Sequence, residues 1–282
     1  MSIKTLNSHQ QSIADEFWRT HPTTTSFEVK VVASRPAKLE GYTLIATRSA
    51  NGVVATIGVA LDHCLRYALN HLFSFAVSGE ESISVDLGAD FAVRGVVEGF
   101  YGKPWSHEQR LRGLKNFGDF NMNTYFLAPK DVPWQRFNWR QPFQSDFLNS
   151  TEELIQVGRL NAIDIVTCVS PGLSVKYCDE NDVDAVITRY KQLFDLGARH
   201  FGLLWDDIAW ELQHQEDMDT YLSTAAAHAD FTNRVWAKLL ALDPKVALTV
   251  CPMHYSGRGN EPYLQEVGRA LHSRINLMWT GR

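Results

Sequence analysis

The pattern of apolar and polar positions changes rhythm once along the chain, near residue 91. Before that point, SFEVKVVAS (26–34) alternates with period two, as a half-buried strand does, and YTLIATRS (42–49) reads as a second strand. ANGVVATIGV follows, with a hairpin turn signal at Asn51-Gly52. In ALDHCLRYALNHLFSF, Leu61, Leu65, Ala68, Leu69 and Leu72 recur at helical spacing. SISVDLG closes the segment as a short strand. Residues 26–90 are thus predicted to form a small α+β domain. The polar stretch 1–25, ending in HPTTTS, predicts a flexible N-terminal arm with a short helix around Ile13–Arg19.

From residue 91 to 282, strand and helix alternate. FAVRGVVEGFYG is an apolar run ending in a glycine-rich turn. A helix is expected from Ser106, which is spaced from Gln109 as in a capping box. NTYFLAPK is the next strand, and Ser150 with Glu153 repeats the cap spacing before a helix that leads into IDIVTCVSPG. Asn181 is the expected cap of a helix through Leu196, ahead of HFGLLWDD. A helix from Tyr221 to Leu242 leads into VALTVCP, and one from Pro262 to Leu271 precedes INLMWTG.

Near-continuous apolar strands alternating with helices predict an α/β fold whose parallel sheet is covered on its faces. Two closures fit, a doubly wound open sheet and a (β/α)8 barrel. No G-x-G-x-x-G follows the first strand, which weakens the dinucleotide-binding version of the open sheet. Nearly every strand instead ends in a polar or turn cluster, such as Glu98-Gly99, Lys130-Asp131, Asp206-Asp207 or Pro252–Tyr255. Functional groups at strand C-termini are the pattern of a (β/α)8-type TIM barrel. Six strands are counted where closure needs eight, so the barrel domain over 91–282 reads as incomplete at its C-terminus.

Composition narrows the partners. A net charge of −5 offers no basic field for nucleic acid. No window approaches the roughly 18 apolar residues of a membrane span, and no signal-peptide stretch opens the chain, so no membrane partner and a cytoplasmic location are expected. Cys64, Cys168, Cys178 and Cys251 form no C-x-x-C pair, so neither a disulfide framework nor a zinc site is expected. Oligomeric state is not readable from these features.

The strongest chemical signal is FGLLWDDIAW, where Asp206 and Asp207 directly follow an apolar strand. Two neighbouring carboxylates raise the pKa of one of them, which gives one ionised and one protonated group for acid–base work. The bland reading is a helix N-cap followed by a first-turn acid. A metal site is a third reading, although no further ligand lies at suitable spacing. Gly99 and Gly102 flank an aromatic pair, as a tight turn or where backbone approaches a ligand. Lys130 either donates to hydroxyls or pairs with Asp131. Tyr255 offers a phenol, and His254 is a possible acid–base group that is more often structural.

Taken in order, EGFYGKPW, NTYFLAPKD, SPG, LLWDDI, CP-x-x-Y and WTG resemble glycoside hydrolase family 84, the protein O-GlcNAcases and bacterial β-N-acetylglucosaminidases, some labelled hyaluronidases. The resemblance runs from about Arg94 to Gly281. It implies hydrolysis of terminal β-linked N-acetylglucosamine with retention, in which the substrate's own acetamido oxygen attacks and forms an oxazoline, without cofactor or metal. It implies that Asp206 orients the acetamido group and that Asp207 serves as acid and then base. It implies that Gly99, Lys130 and Tyr255 bind the sugar of a GlcNAc glycoconjugate. The family's later sugar-binding segments, a WDN-type run and further Asp and Asn residues, have no counterpart before Arg282. A weakly active or inactive GlcNAc-binding fragment is therefore the alternative. A phosphate-handling (β/α)8 isomerase or lyase is the rival that sets the resemblance aside.

Overall fold

The computed structural model describes residues 2–280, so Gly281 of the WTG segment and Arg282 lie outside the described residues. The chain divides into two compact units.

The first unit holds the residues up to Gly95, with 107–124 and 156–164. It is built on a five-stranded mixed sheet in the order β1-β2-β4-β3-β5. The strands are β1 (Ser2–Lys4), β2 (Phe27–Ala33), β3 (Gly41–Ser49), β4 (Gly52–Val59) and β5 (Ser82–Gly88). β1, β2 and β4 run parallel, while β3 is antiparallel to both β4 and β5. Period-two burial along β2 matches the alternation of its sequence. The hairpin turn falls one residue earlier than expected: Ser49 pairs with Gly52 across Ala50-Asn51. A Cβ on Gly52 would lie 2.2 Å from the Ser26 carbonyl oxygen, and φ there is +131°, so this position requires glycine.

The flexible arm expected over 1–25 is corrected. Residues Ser2–Lys4 pair with β2 as β1, and Ser8–Thr20 form α1. Asn7 and Gln10 make a reciprocal capping box, which satisfies two otherwise orphaned backbone donors. Ile13, Ala14 and Phe17 are fully buried, and Trp18 packs against Phe27 at 4.7 Å between ring centroids. The polar composition of the arm hid a narrow apolar stripe on one helix face. α2 (Cys64–Ser78) covers the same sheet and ends at Gly79 in the left-handed conformation. α3 (His107–Asp119) belongs to this unit. Asn70 on α2 donates to the Gly118 carbonyl at 3.0 Å, and Arg66, fully buried, pairs with Asp119 while lying 4.8 Å over the Phe17 ring.

The second unit holds 96–106, 125–155 and the chain from Ile165 onward. Its sheet has six strands: β6 (Gly95–Glu98), β7 (Thr124–Leu127), β8 (Asp164–Val169), β9 (His200–Leu204), β10 (Ala247–Cys251) and β11 (Asn276–Leu277). Their order in the sheet is their order in sequence, and β8–β9, β9–β10 and β10–β11 are parallel. A doubly wound sheet reverses its strand order at a switch point, and this one does not. The residues of β7 and β9 are buried throughout, as expected for strands covered on both sides.

Local boundaries moved where tertiary contacts outweighed cap signals. α4 (Pro133–Arg136) was not expected. α5 (Ser145–Leu160) begins five residues before Ser150, whose hydroxyl donates to the Phe147 carbonyl within the helix. Phe147 sits 4.4 Å from the rings of both Phe143 and Trp134, and this packing draws the first turn into the helix. α6 (Glu180–Asp195) is capped by Asp179, not Asn181, because the Asp179 carboxylate accepts from Asn181 N at 2.9 Å. α7 (Gln215–Thr220) is also additional. α8 (Thr224–Leu242) is capped by Ser223, and α9 spans Pro262–Ala270. No helix among the described residues is long and apolar enough to cross a membrane.

β8 and β9 pack so closely that a Cβ on Gly202 would lie 2.3 Å from Cys168 Sγ and 3.2 Å from its Cβ. Gly202→Ala is expected to cost about 1–3 kcal/mol by overpacking. In urea titrations, adding Cys168→Ala should recover part of that loss. An unchanged midpoint for the single variant would show that the strands separate freely.

Candidate active site

Trp205 leads the chain out of β9. It is buried, its amide donates to the Cys251 carbonyl at 2.8 Å, and its indole donates to Thr232 at 3.2 Å. Its ring stacks on His228, with centroids 5.0 Å apart and planes within 10°. His228 is itself bracketed by the hydroxyls of Tyr263 at 2.7 Å and Tyr177 at 2.9 Å.

With Trp205 anchored, the next two residues part company. Asp206 is largely buried, its side chain 13% exposed, and it forms an ion pair with the buried ammonium of Lys130. Its Oδ1 is buried without a hydrogen-bond partner. Asp207 has a left-handed backbone, φ +57°, which Asp tolerates better than most residues. Its side chain is 37% exposed, with Oδ2 4.0 Å from Lys130 Nζ and accepting from the Tyr101 hydroxyl at 2.7 Å. The next helix, α7, starts only at Gln215, so neither Asp caps a helix or sits in a first turn. The bland reading of the pair is thereby set aside.

Gly99, Lys130 and Asp206 line one pocket with Cys168, Cys251 and Met278. Tyr255 packs against the apolar cluster of Phe126, Val166 and Leu204 beneath it. Burial, then the charges of Asp207 and Asp206, raise the Tyr255 phenol above its ordinary pKa. Burial holds the Cys251 thiol up at about 12, so it stays protonated near neutrality. All five predicted site residues therefore lie in one region of the second unit. His254 lies apart from this hydrogen-bond network, edge-on to Trp210 at 5.5 Å.

Two residues were missed by sequence reasoning. Tyr101 lies in the EGFYGKPW segment as one of the aromatic pair between Gly99 and Gly102, and no spacing in the sequence links it to Asp207. Arg136 ends α4, a four-residue helix whose one sequence signal is the proline at its start. It donates through Nη1 to the Tyr101 oxygen at 2.9 Å and through Nη2 to the Asp207 carbonyl at 2.7 Å. Burial first, then the bond to Asp207, raise the Tyr101 phenol, while Arg136 opposes the shift.

Away from this pocket, one group of potential metal ligands occurs among the described residues: Glu40, His63 and Cys64, with ligand atoms within 4.8 Å of one another. Glu40 already meets His63 at 2.8 Å and the Arg94 guanidinium at 3.7 Å. Burial would lower the His63 imidazole, but Cys64 and the Glu40 carboxylate outweigh it and push it up to about 10. A carboxylate between two cationic partners is an ion-pair cluster, and we assign no metal to it.

Comparison with known proteins identifies the family of the chain. Residues 94–282 match the family model described as beta-N-acetylglucosaminidase. Protein O-GlcNAcase of Rattus norvegicus is 33% identical over 200 residues, which is 69% of this chain and 21% of that protein, and the Mus musculus protein matches to the same extent. A solved O-GlcNAc hydrolase variant from Thermobaculum terrenum shares 34% identity with a TM-score of 0.66, over 68% of this chain and 41% of that one. The solved structure of CpGH84B gives a TM-score of 0.79 at 27% identity, over 99% of this chain and 52% of that one. The chain thus spans about a fifth of the curated relatives' length and about half or less of the two solved chains. With the family model covering most of the chain, and the Asp pair seated at a strand end beside Lys130, the chain belongs to the beta-N-acetylglucosaminidases of glycoside hydrolase family 84.

Proposed function

We propose that this chain carries the acid–base half of a retaining exo-β-N-acetylglucosaminidase acting on terminal β-linked GlcNAc of a glycoconjugate, with O-GlcNAc the substrate its named relatives suggest. One observation carries the reading: two adjacent carboxylates at one strand end occupy different environments. Groups whose surroundings differ in this way take different catalytic parts. Asp206, largely buried and paired with Lys130, suits the constant task of orienting the acetamido N–H and stabilising the positive charge that builds there. Asp207, reachable from solvent and held by a phenol, suits proton delivery to the leaving oxygen. The acetamido oxygen then bonds to the anomeric carbon as the glycosidic bond breaks, and the oxazoline forms as the N–H proton shifts toward the Asp206 carboxylate, to return when the ring reopens. Asp207, now a carboxylate, takes a proton from the water that reopens it. Substrate-assisted attack needs no enzymic nucleophile and gains from a high effective molarity. Gly99, Lys130 and Tyr255 line the sugar side.

The sequential strand order further supports reading the six-stranded sheet as part of a (β/α)8 barrel. Residues 26–90 would then be the small α+β domain that precedes the catalytic domain from residue 91.

The test is hydrolysis of a 4-methylumbelliferyl N-acetyl-β-glucosaminide by the purified chain, with binding of a GlcNAc-thiazoline followed by calorimetry. Turnover together with tight thiazoline binding is expected, because the thiazoline mimics the oxazoline. Thiazoline binding without turnover would make the chain a GlcNAc-binding fragment. Neither result from a chain folded by circular dichroism would sink the reading.

A further inference from the structure

Asp207 has an unusual backbone for a non-glycine residue, and no regular element maintains it. At φ +57° it lies in no helix or strand, and although Asp tolerates the left-handed region better than most residues, that region is still disfavoured for it relative to glycine. Something must hold it there. Arg136 is 6% exposed, and its guanidinium reaches Asp207 by two routes. Nη2 donates to the Asp207 backbone carbonyl at 2.7 Å, and Nη1 donates to the Tyr101 oxygen at 2.9 Å.

The second route has a fixed direction. A guanidinium only donates, so the Tyr101 oxygen must accept from Arg136. The single phenolic hydrogen is then left to point at Asp207 Oδ2, 2.7 Å away. Arg136 itself is not free to drift. Gln135 beside it exchanges two bonds with Ser170 at the end of β8, through its side chain at 3.3 Å and its carbonyl at 3.1 Å. Arg189, buried on α6, donates to the Trp134 carbonyl at 2.7 Å.

We infer that Arg136 is a positioning residue for Asp207: it holds the left-handed turn and steers the Tyr101 hydroxyl onto one carboxylate oxygen, leaving the other to face the leaving group. The catalytic consequence rests on the acid role proposed above for Asp207; the conformational claim does not. Arg136 does not line the pocket of Gly99, Lys130 and Asp206, so its loss should misdirect the proton without removing it.

The experiment has two arms, so that failure of the inference and failure of the proposed function separate. In the first, the chain is labelled with 13C-aspartate, and the Asp207 signal is identified by its loss in Asp207→Asn. The Asp207 Cα–Cβ cross-peak is expected to move in Arg136→Gln and to return part of the way in Arg136→Lys, which can reach one of the two acceptors. In the second, kcat/KM is measured with a phenyl and a 2,4-dinitrophenyl N-acetyl-β-glucosaminide. A phenoxide needs protonation and a dinitrophenoxide hardly does. Arg136→Gln should therefore lose about a hundredfold on the phenyl glycoside and under about threefold on the dinitrophenyl one. Arg136→Lys should recover part of the larger loss.

An unmoved Asp207 cross-peak in Arg136→Gln overturns the inference, as do equal losses on both substrates, which would mark a merely structural residue. If Arg136→Gln does not fold, Arg136→Lys decides by the same two readouts. If the unsubstituted chain hydrolyses neither glycoside, the proposed function falls, and the cross-peak alone decides whether Arg136 positions Asp207.

Discussion

Replacing Asp207 by Asn is expected to lower kcat/KM on a 4-methylumbelliferyl N-acetyl-β-glucosaminide by about 10²–10⁴-fold while leaving thermal stability almost unchanged. The carboxamide has the carboxylate's shape and can still accept from Tyr101, but it cannot deliver a proton to the leaving oxygen. Its side chain is more than a third exposed, so little burial energy is at stake. Asp206→Asn should behave differently. It takes from the Lys130 ammonium, whose side chain is 3% exposed, its close carboxylate partner and leaves only Asp207, 4.0 Å away. Breaking one half of a buried pair costs on the order of 3 kcal/mol, so this variant should lose stability as well as activity. Kinetics and urea denaturation on the two variants separate the roles. Equal stability losses, or an Asp207→Asn variant with ordinary turnover, would show that the division of labour between the carboxylates is wrong.

The second large effect concerns acid stability. Burial holds the His228 imidazole down at about 3 and that of His200 at about 4. Both pKa values are lower in the folded chain than the roughly 6.5 of an unfolded histidine. Below pH 6.5 the unfolded chain therefore binds protons that the folded chain does not. Linkage makes stability fall with pH in that window. The contribution is fully present above about pH 6.5 and is lost progressively as pH falls toward 4 and 3. At about 1.4 kcal/mol per pKa difference of one, the loss amounts to several kcal/mol, comparable with the whole stability of a domain.

His228→Ala isolates one of these groups. At pH 7 it should cost about 3–5 kcal/mol, because it opens a cavity beneath Trp205, removes the His228 partner of the Tyr177 hydroxyl and leaves Tyr263 with the Met253 amide. That difference from the parent chain should shrink between pH 6.5 and 4, because only the parent still carries the penalty of a histidine it cannot protonate. A difference that stays constant over this range would show that His228 titrates normally in the folded chain. Activity should fall together with stability, since the stacked Trp205–His228 pair anchors the residue just before Asp206.

How much of this was legible beforehand varies by element. β2, β5 and β9 were readable because their apolar patterns reflect burial on one face or on both. The order of chemical segments was readable because each sits at a strand end, where a short polar cluster interrupts an apolar run. The limits of α5 and the cap of α6 were not. Ser150 offers a valid local cap spacing, but Phe147 gains more by packing on Trp134 and Phe143, and a cap of about 1 kcal/mol does not outweigh buried aromatic area. α1 was underestimated because a helix needs only one apolar stripe, which a polar average conceals.

By itself, then, the sequence determined the strand–helix alternation from residue 91, the pairing of Asp206 with Asp207 after a buried strand, and the family. These are properties of residues close together in the chain, where period and spacing carry the information. Only the tertiary structure decided that the strands follow one another without a reversal, that Lys130 pairs with Asp206, and that Tyr101 and Arg136 hold Asp207. The contacts of that site join residues 35 to 106 positions apart. Their energy depends on burial and direction in three dimensions, and neither leaves a period in the sequence.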